Sequence, residues 1–250
     1  MRPNLRKILP LLVVAGVAIL IAYTPASAMI CNLYKGKSSL DDLQYHKVRF
    51  LQVIKKAPDD IQSYCQLSHI HYKIAGKVRE QFQELEYEKC IEYADAAIAR
   101  NPKAGTAYFM KALCLGKRGE LNGVWSSLKI LDHFEFNMKR AVELNPSLDG
   151  GGPYRALGRF YFQLPGLLGG SLKNAIQYLE KAMTYDPENW ENLLFLGEAY
   201  IEDDRPQQAR PLLARFMKVT LNRTQDPKVE ARRKHVQELI REIQEETGTP

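Results

Sequence analysis

The feature that most restricts this chain is a short phrase that returns at a nearly constant interval. It reads Ala97-Ile-Ala-Arg-Asn-Pro102, then Ala141-Val-Glu-Leu-Asn-Pro146, then Ala182-Met-Thr-Tyr-Asp-Pro187, with a weaker copy at Val53-Ile-Lys-Lys-Ala-Pro58. The prolines stand 44, 44 and 41 residues apart. Each phrase closes a helical pattern: proline lacks an N–H and biases the residue before it away from the helical region. The alanine five residues before each proline leaves room for a neighbouring helix. A second phrase precedes each ending. It is clearest as Leu157-Gly158-x-x-Tyr161 and Leu196-Gly197-x-x-Tyr200, with looser copies at Leu67-Ser68-x-x-His71 and Lys111-Ala112-x-x-Leu115. A small residue followed by a bulkier one a turn later is what a close helix–helix contact requires.

Self-similarity at this period predicts stacked helical hairpins with a continuous core. The reading is a lone helix near 40–57 and pairs at about 60–101, 105–145, 151–186 and 190–219. Around 76–85 and 117–127 longer helices or wider turns are expected. Pro227 to Glu246 reads as a charged amphipathic helix with Val229, Val236, Leu239, Ile240 and Ile243 on its buried side. It would cap the open end of the stack. The fold class is therefore all-α: an α-α superhelix of helix pairs with a C-terminal capping helix.

The first residues belong to a different kind of segment. Arg2, Arg6 and Lys7 precede an apolar run from Ile8 to Ala22, which is followed by Pro25 and Ala26-Ser27-Ala28. That is the layout of a secretory signal over residues 1–28, or of an N-terminal anchor if it is not cleaved. Three units of the net charge of +6 lie in this segment. The remaining excess is mild and sits mostly after Arg205, as expected of a solvated helix face, so nucleic acid is not an expected partner. Export also permits disulfides among Cys31, Cys65, Cys90 and Cys114. Cys90 falls on a helix-packing position and reads as a small core residue, and a Cys31–Cys65 bridge is compatible with the sequence. Ile30 before Cys31 is bulky where a lipoprotein signal needs a small residue. The expected organisation is a signal at 1–28, a repeat domain at 29–222, and a capping helix and tail at 223–250.

No phosphate-binding loop, dinucleotide fingerprint or nucleophile elbow is present. His69 and His71 are two apart on a predicted helix and cannot share a metal. The acid pairs Asp41-Asp42, Asp59-Asp60 and Asp203-Asp204 stand at helix starts or turns, where they suit capping. No enzyme activity, cofactor or metal is expected. One stretch lies outside the repeat logic: Gly150-Gly-Gly-Pro-Tyr154-Arg155 with Gln163-Leu-Pro-Gly-Leu-Leu-Gly-Gly-Ser171. Its leucines could pack inward with Ser171 capping the next helix, form an apolar lip on a binding site, or frame a phosphate nest.

These residues resemble the tetratricopeptide (TPR) family, whose unit is two antiparallel helices carrying Leu-Gly-x-x-Tyr and Ala…Ala…Pro. The resemblance implies that the first helix of each pair lines a concave face. The candidate binding residues are then Tyr72, Phe109, Leu113, Tyr154, Arg155, Arg159, Phe162, Leu164, Leu167, Leu168, Leu194 and Ile201. Such a lining is apolar with two arginines, and suits an apolar partner segment or an amphipathic ligand with an anionic group. The phrases Gly151-Gly-Pro-Tyr-Arg-Ala-Leu-Gly-Arg-Phe-Tyr161, Leu164-Pro-Gly-Leu-Leu-Gly-Gly170 and Ala175-Ile-Gln-Tyr-Leu-Glu-Lys-Ala182 are also similar to the TatT-like TPR components of TRAP transporters, a resemblance that covers roughly residues 60–220. That resemblance implies an accessory of solute transport beside a periplasmic solute-binding protein, handling a small hydrophobic or anionic organic ligand and free to oligomerise. The absent lipoprotein signal departs from that pattern and points to a soluble periplasmic protein. The alternative expectation is an adaptor that organises an envelope complex without a small ligand.

Overall fold

The computed structural model describes residues 31–36, 39–223 and 226–247. The signal at residues 1–28 lies outside them. Among the described residues ten α-helices follow one another: α1 (Leu40–Lys56), α2 (Ile61–Ala75), α3 (Glu80–Arg100), α4 (Gly105–Leu121), α5 (Val124–Leu144), α6 (Gly152–Gln163), α7 (Leu172–Tyr185), α8 (Trp190–Glu202), α9 (Pro206–Val219) and α10 (Pro227–Thr247). Among the described residues there is no strand.

The recurring phrase works as its chemistry predicts. Asn101, Asn145 and Asp186 leave the helical region, and their N–H groups close the last turns onto the carbonyls of Ala97, Ala141 and Ala182 at 2.9, 2.8 and 3.3 Å. Those three alanines are fully buried. Helix starts are capped by short polar side chains: Ser39 on α1, Asp60 on α2, Ser171 on α7 and Asn189 on α8. The longer spacing of the first units is absorbed by helix length. α3 and α5 have 21 residues each, whereas α7 and α9 have 14.

Helices pair as α2/α3, α4/α5, α6/α7 and α8/α9, with α1 laid on α2 and α10 on α9. In the later pairs glycine makes the notch. A Cβ on Gly158 would stand 2.5 Å from Leu179 Cγ, and one on Gly197 would stand 2.7 Å from Leu213 Cδ2. In the first pair Ser68 fills the notch and donates to the Cys90 carbonyl at 2.9 Å. α10 seals the far end with Val229, Val236 and Ile243 buried. Arg233 donates to the Met217 carbonyl at 2.6 Å and to Thr220 Oγ1 at 2.8 Å, which satisfies the C-terminus of α9.

Two disulfides are present. Cys31–Cys65 ties the segment before α1 to α2, and Cys90–Cys114 ties α3 to α4. Cys90 is a core residue as read from the sequence, but it is not a free one; its partner Cys114 comes from the next helix pair.

Candidate functional site

The concave side holds a cavity of about 1010 Å³. Its floor and walls come from α2, α4, the middle of α5, α6, the α5–α6 turn, the segment 31–35, and Glu191 and Phe195 of α8. The floor is apolar: Phe109 and Leu113 from α4, Phe134 from α5 and Phe160 from α6. Phe134 and Phe160 stack at 4.9 Å between ring centres. A Cβ on Gly116 would stand only 3.4 Å from the Phe134 ring, so α4 passes close over that ring.

Polar groups gather on one face of α2, where His69, Tyr72 and Lys73 follow at helical spacing. The Tyr34 N–H donates to His69 Nδ1 at 2.8 Å, so the ring carries its proton on Nε2. Burial, helped by the Lys73 charge, drops the His69 pKa to about 3 and keeps the ring neutral. Burial also pushes the Tyr72 hydroxyl up to about 12 and lowers the Lys73 ammonium from its usual value. The site thus offers hydrogen-bond donors beside an apolar floor.

The two arginines behave differently from expectation. Arg155 is buried, with Nη2 on Asp149 at 2.7 Å, Nε near Glu191 at 3.1 Å and Nη1 donating to Asn192 Oδ1 at 3.1 Å. Arg159 pairs with Glu198 at 2.5 Å and lies over the rings of Phe162 and Phe195. Both charges are answered inside the protein, so neither is a ready anchor for a ligand anion. Their work is structural. Asn192, fully buried, donates to the carbonyls of Gly150, Ala182 and Asp186 at 3.2, 3.2 and 3.0 Å. Together with Arg155 it fastens the α5–α6 turn to α7 and α8. That turn needs the fastening, because Asp149, Gly150 and Gly151 all have positive φ, at 51°, 60° and 80°.

Of the residues singled out from sequence, Tyr72, Phe109, Leu113, Arg155, Arg159 and Leu164 come together on the cavity. The others do not. Leu194 is fully buried in the α7–α9 core, because that face of α8 meets its neighbours rather than the groove. Tyr154 stacks on Tyr185 at 5.6 Å, against α7. Phe162 packs under Arg159, and Ile201 lies by α10 in a separate, smaller pocket. Leu167 and Leu168 form a short 3-10 turn and point to solvent, at 101% and 43% exposure. The inward-packed form of this loop is therefore not what is seen, although Ser171 does cap α7 at Asn174 N, 3.2 Å away.

Sequence reasoning missed the α5 contribution and the segment 31–35. Counted back from the terminating proline, Phe134 and Cys90 hold the place of Ala175, twelve residues before it. A phenylalanine where the repeat wants alanine was a legible sign that α5 presents a bulky ring at this place, and that ring lies on the cavity. His69 and His71 point apart as expected: His71 Nδ1 meets Glu86 at 2.6 Å. Among the described residues no group of three or more His, Cys, Asp or Glu could hold a metal ion.

A family model described as Regulator of microtubule dynamics protein 1-3 matches residues 32–168, and a tetratricopeptide repeat model matches residues 167–225. Among curated proteins the chain is similar to Regulator of microtubule dynamics protein 1 of Bos taurus, 29% identical over 150 residues, covering 52% of this chain and 45% of that protein. The Pongo abelii protein of the same name is 25% identical over 169 residues, covering 59% and 52%. The chain spans about half the length of the curated relatives it matches. Among solved structures, a thermophilic TPR protein of Thermus thermophilus superposes with a TM-score of 0.55 at 18% identity, covering 79% of this chain and 91% of that one. That likeness shows the TPR fold.

Proposed function

On the premise that this chain belongs to the regulator of microtubule dynamics protein 1-3 family, we propose that it is a non-catalytic binding scaffold. Its concave cavity would hold an apolar segment of a partner protein or a small apolar or amphipathic ligand. The observation that carries this reading is the aromatic floor of Phe109, Phe134 and Phe160 beside the donor face of α2. Because Arg155 and Arg159 are already paired, the favoured occupant is weakly polar and not a simple organic anion. The adaptor reading needs a closed groove and inward-packed leucines, and the open cavity and the solvent-facing Leu167 weigh against it.

We place the working protein in an oxidising compartment, in line with the expected periplasmic location. Its support is the basic and apolar start of the chain together with the two disulfides. The relatives' name directs a search for partners to microtubule regulation, whereas the disulfides favour a partner met outside a reducing cytosol. A role beside a TRAP-type transporter rests on a sequence resemblance that is sharpest at 150–200, and the matched family carries another description. Partner binding in the groove is therefore the reading taken forward.

The test uses a fluorescent apolar probe, N-phenyl-1-naphthylamine, and native mass spectrometry of the purified chain. The wild type is expected to take up the probe saturably. Leu113→Glu, which puts a carboxylate on the floor, is expected to weaken uptake about tenfold or more. Leu167→Glu, on the exposed turn, serves as the control and should leave uptake unchanged. A wild type with no saturable uptake and no co-purifying ligand or partner would defeat the proposal.

A further inference from the structure

We propose that residues 31–35 are a redox-latched strap that occupies the α2 end of the groove, and that reducing Cys31–Cys65 releases it and lengthens the groove. The inference concerns regulation of the cavity described above, and its binding consequence rests on that reading; the latch itself does not.

The strap is held as a bound peptide would be. Asn32 N donates to Gln62 Oε1 at 3.0 Å, and its carbonyl accepts from Gln62 Nε2 at 3.2 Å and Gln66 Nε2 at 2.7 Å. Tyr34 N donates to His69 Nδ1 at 2.8 Å, and the Cys31 carbonyl accepts from Thr106 Oγ1 at 2.6 Å. Gln62, Cys65, Gln66 and His69 form one continuous strip of α2 at i, i+3, i+4 and i+7 spacing. Every one of these bonds goes to a side chain, and the strap belongs to no helix or sheet. Cys31, Leu33 and Tyr34 face the cavity, so the strap is its wall at that end.

Energetics make the disulfide decisive. The gain from these hydrogen bonds, the Tyr34 hydroxyl bond to Asp42 and the burial of Tyr34 and Leu33 is of the same order as the cost of ordering five residues of irregular chain. The covalent bond keeps Cys31 beside Cys65 whatever that balance is. The other disulfide has no such role. Cys90–Cys114 joins two helices inside the core, and cutting it frees no segment.

Release is a thiol–disulfide exchange with a dithiol reductant. A thiolate of the dithiol attacks one sulfur of Cys31–Cys65, the S–S bond breaks, and a mixed disulfide forms as the other cysteine leaves and takes a proton. The second thiol of the reductant then closes its own disulfide and frees the second cysteine. Two electrons pass from the dithiol to the protein, which ends with two thiols.

The experiment compares the full oxidised chain with Cys31→Ser and Cys65→Ser, each of which keeps Cys90–Cys114. Amide hydrogen exchange is read at Asn32 and Tyr34, and N-phenyl-1-naphthylamine uptake is measured on the same samples. Exchange at these two amides is expected to rise at least about tenfold in the variants, while protection across α6–α9 is unchanged. Probe affinity is expected to shift at least about threefold. Strap amides that stay as protected as in the oxidised chain would overturn the latch. Released strap amides with unchanged probe affinity would overturn its coupling to the groove. Probe that binds in neither state would defeat the function proposed for the cavity and leave the latch to be judged by exchange alone. If a variant loses α6–α9 protection, wild type partly reduced with dithiothreitol, alkylated and mapped at Cys31 and Cys65, gives the same readings.

Discussion

The α2/α3 pair and the α6/α7 pair are the same supersecondary unit made with different chemistry. In α6/α7 a glycine notch at Gly158 receives Leu179 and rests against the Ala175 carbonyl. In α2/α3 the notch is Ser68, the residue in the place of Leu179 is Ala94, and the residue in the place of Ala175 is Cys90. A larger notch residue thus meets a smaller knob, and the lost apolar contact is made up within the pair by a hydroxyl–carbonyl bond, while Cys90 ties α3 onward to Cys114 of α4. The lesson is that a repeat conserves a distance between helices, and several residue pairs can hold it.

Breaking each version tests that account. The largest effect is expected from Cys90→Ala with Cys114→Ala, at about 3 kcal/mol in urea unfolding of the oxidised chain. A loss well under 1 kcal/mol would mean that α3 and α4 are held together without their covalent tie. Gly158→Ala comes next. The added Cβ would force Leu179 aside or push α7 outward, at about 2 kcal/mol of overpacking. Exchanging Leu179 to Ala in the same chain should recover part of that loss, because it recreates the small-knob arrangement of the first pair.

Acid should separate the two halves as well. His69 has a folded pKa of about 3 against an ordinary value near 6.5. Between those values the unfolded chain binds the extra proton, so stability is full above about pH 6.5 and falls as pH drops through that window. At pH 5 the loss is about 2 kcal/mol relative to pH 7, and His69→Gln, which keeps an acceptor for the Tyr34 N–H, should remove it. A pH 5 loss unchanged in His69→Gln would place the acid sensitivity elsewhere. Ser68→Ala is the smallest change. Losing the hydroxyl bond to Cys90 should cost about 1 kcal/mol, and a neutral result would mean that this bond does not replace the lost apolar contact.

Helix order, pairing and the capping role of α10 were legible because each depends on local signals: the Asn-Pro or Asp-Pro ending, the small residue on the first helix and the apolar stripe of Val229, Val236 and Ile243. Half of the twelve named candidates reached the cavity for the same reason, through the repeat register of α2, α4 and α6. What was hidden depends on residues far apart in the chain. Nothing near Arg155 announces that Asp149, Glu191 and Asn192 will surround it, and nothing near Asn32 announces Gln62 and Gln66. Leu194 misled because an apolar residue on a first helix fits core and groove equally well. Leu167 and Leu168 stayed open between core and lip because glycine-flanked leucines read alike whether a turn folds inward or outward.

The run of positive φ from Asp149 to Gly151 gives the molecule a fixed elbow. Arg155 and Asn192 join Asp149 and Gly150 of the elbow to the end of α7 and the start of α8, so the elbow is built into the same body as α6–α8. The breadth of the cavity is therefore an angle set at three residues, and its length is set at the opposite rim by where Cys31 is tied.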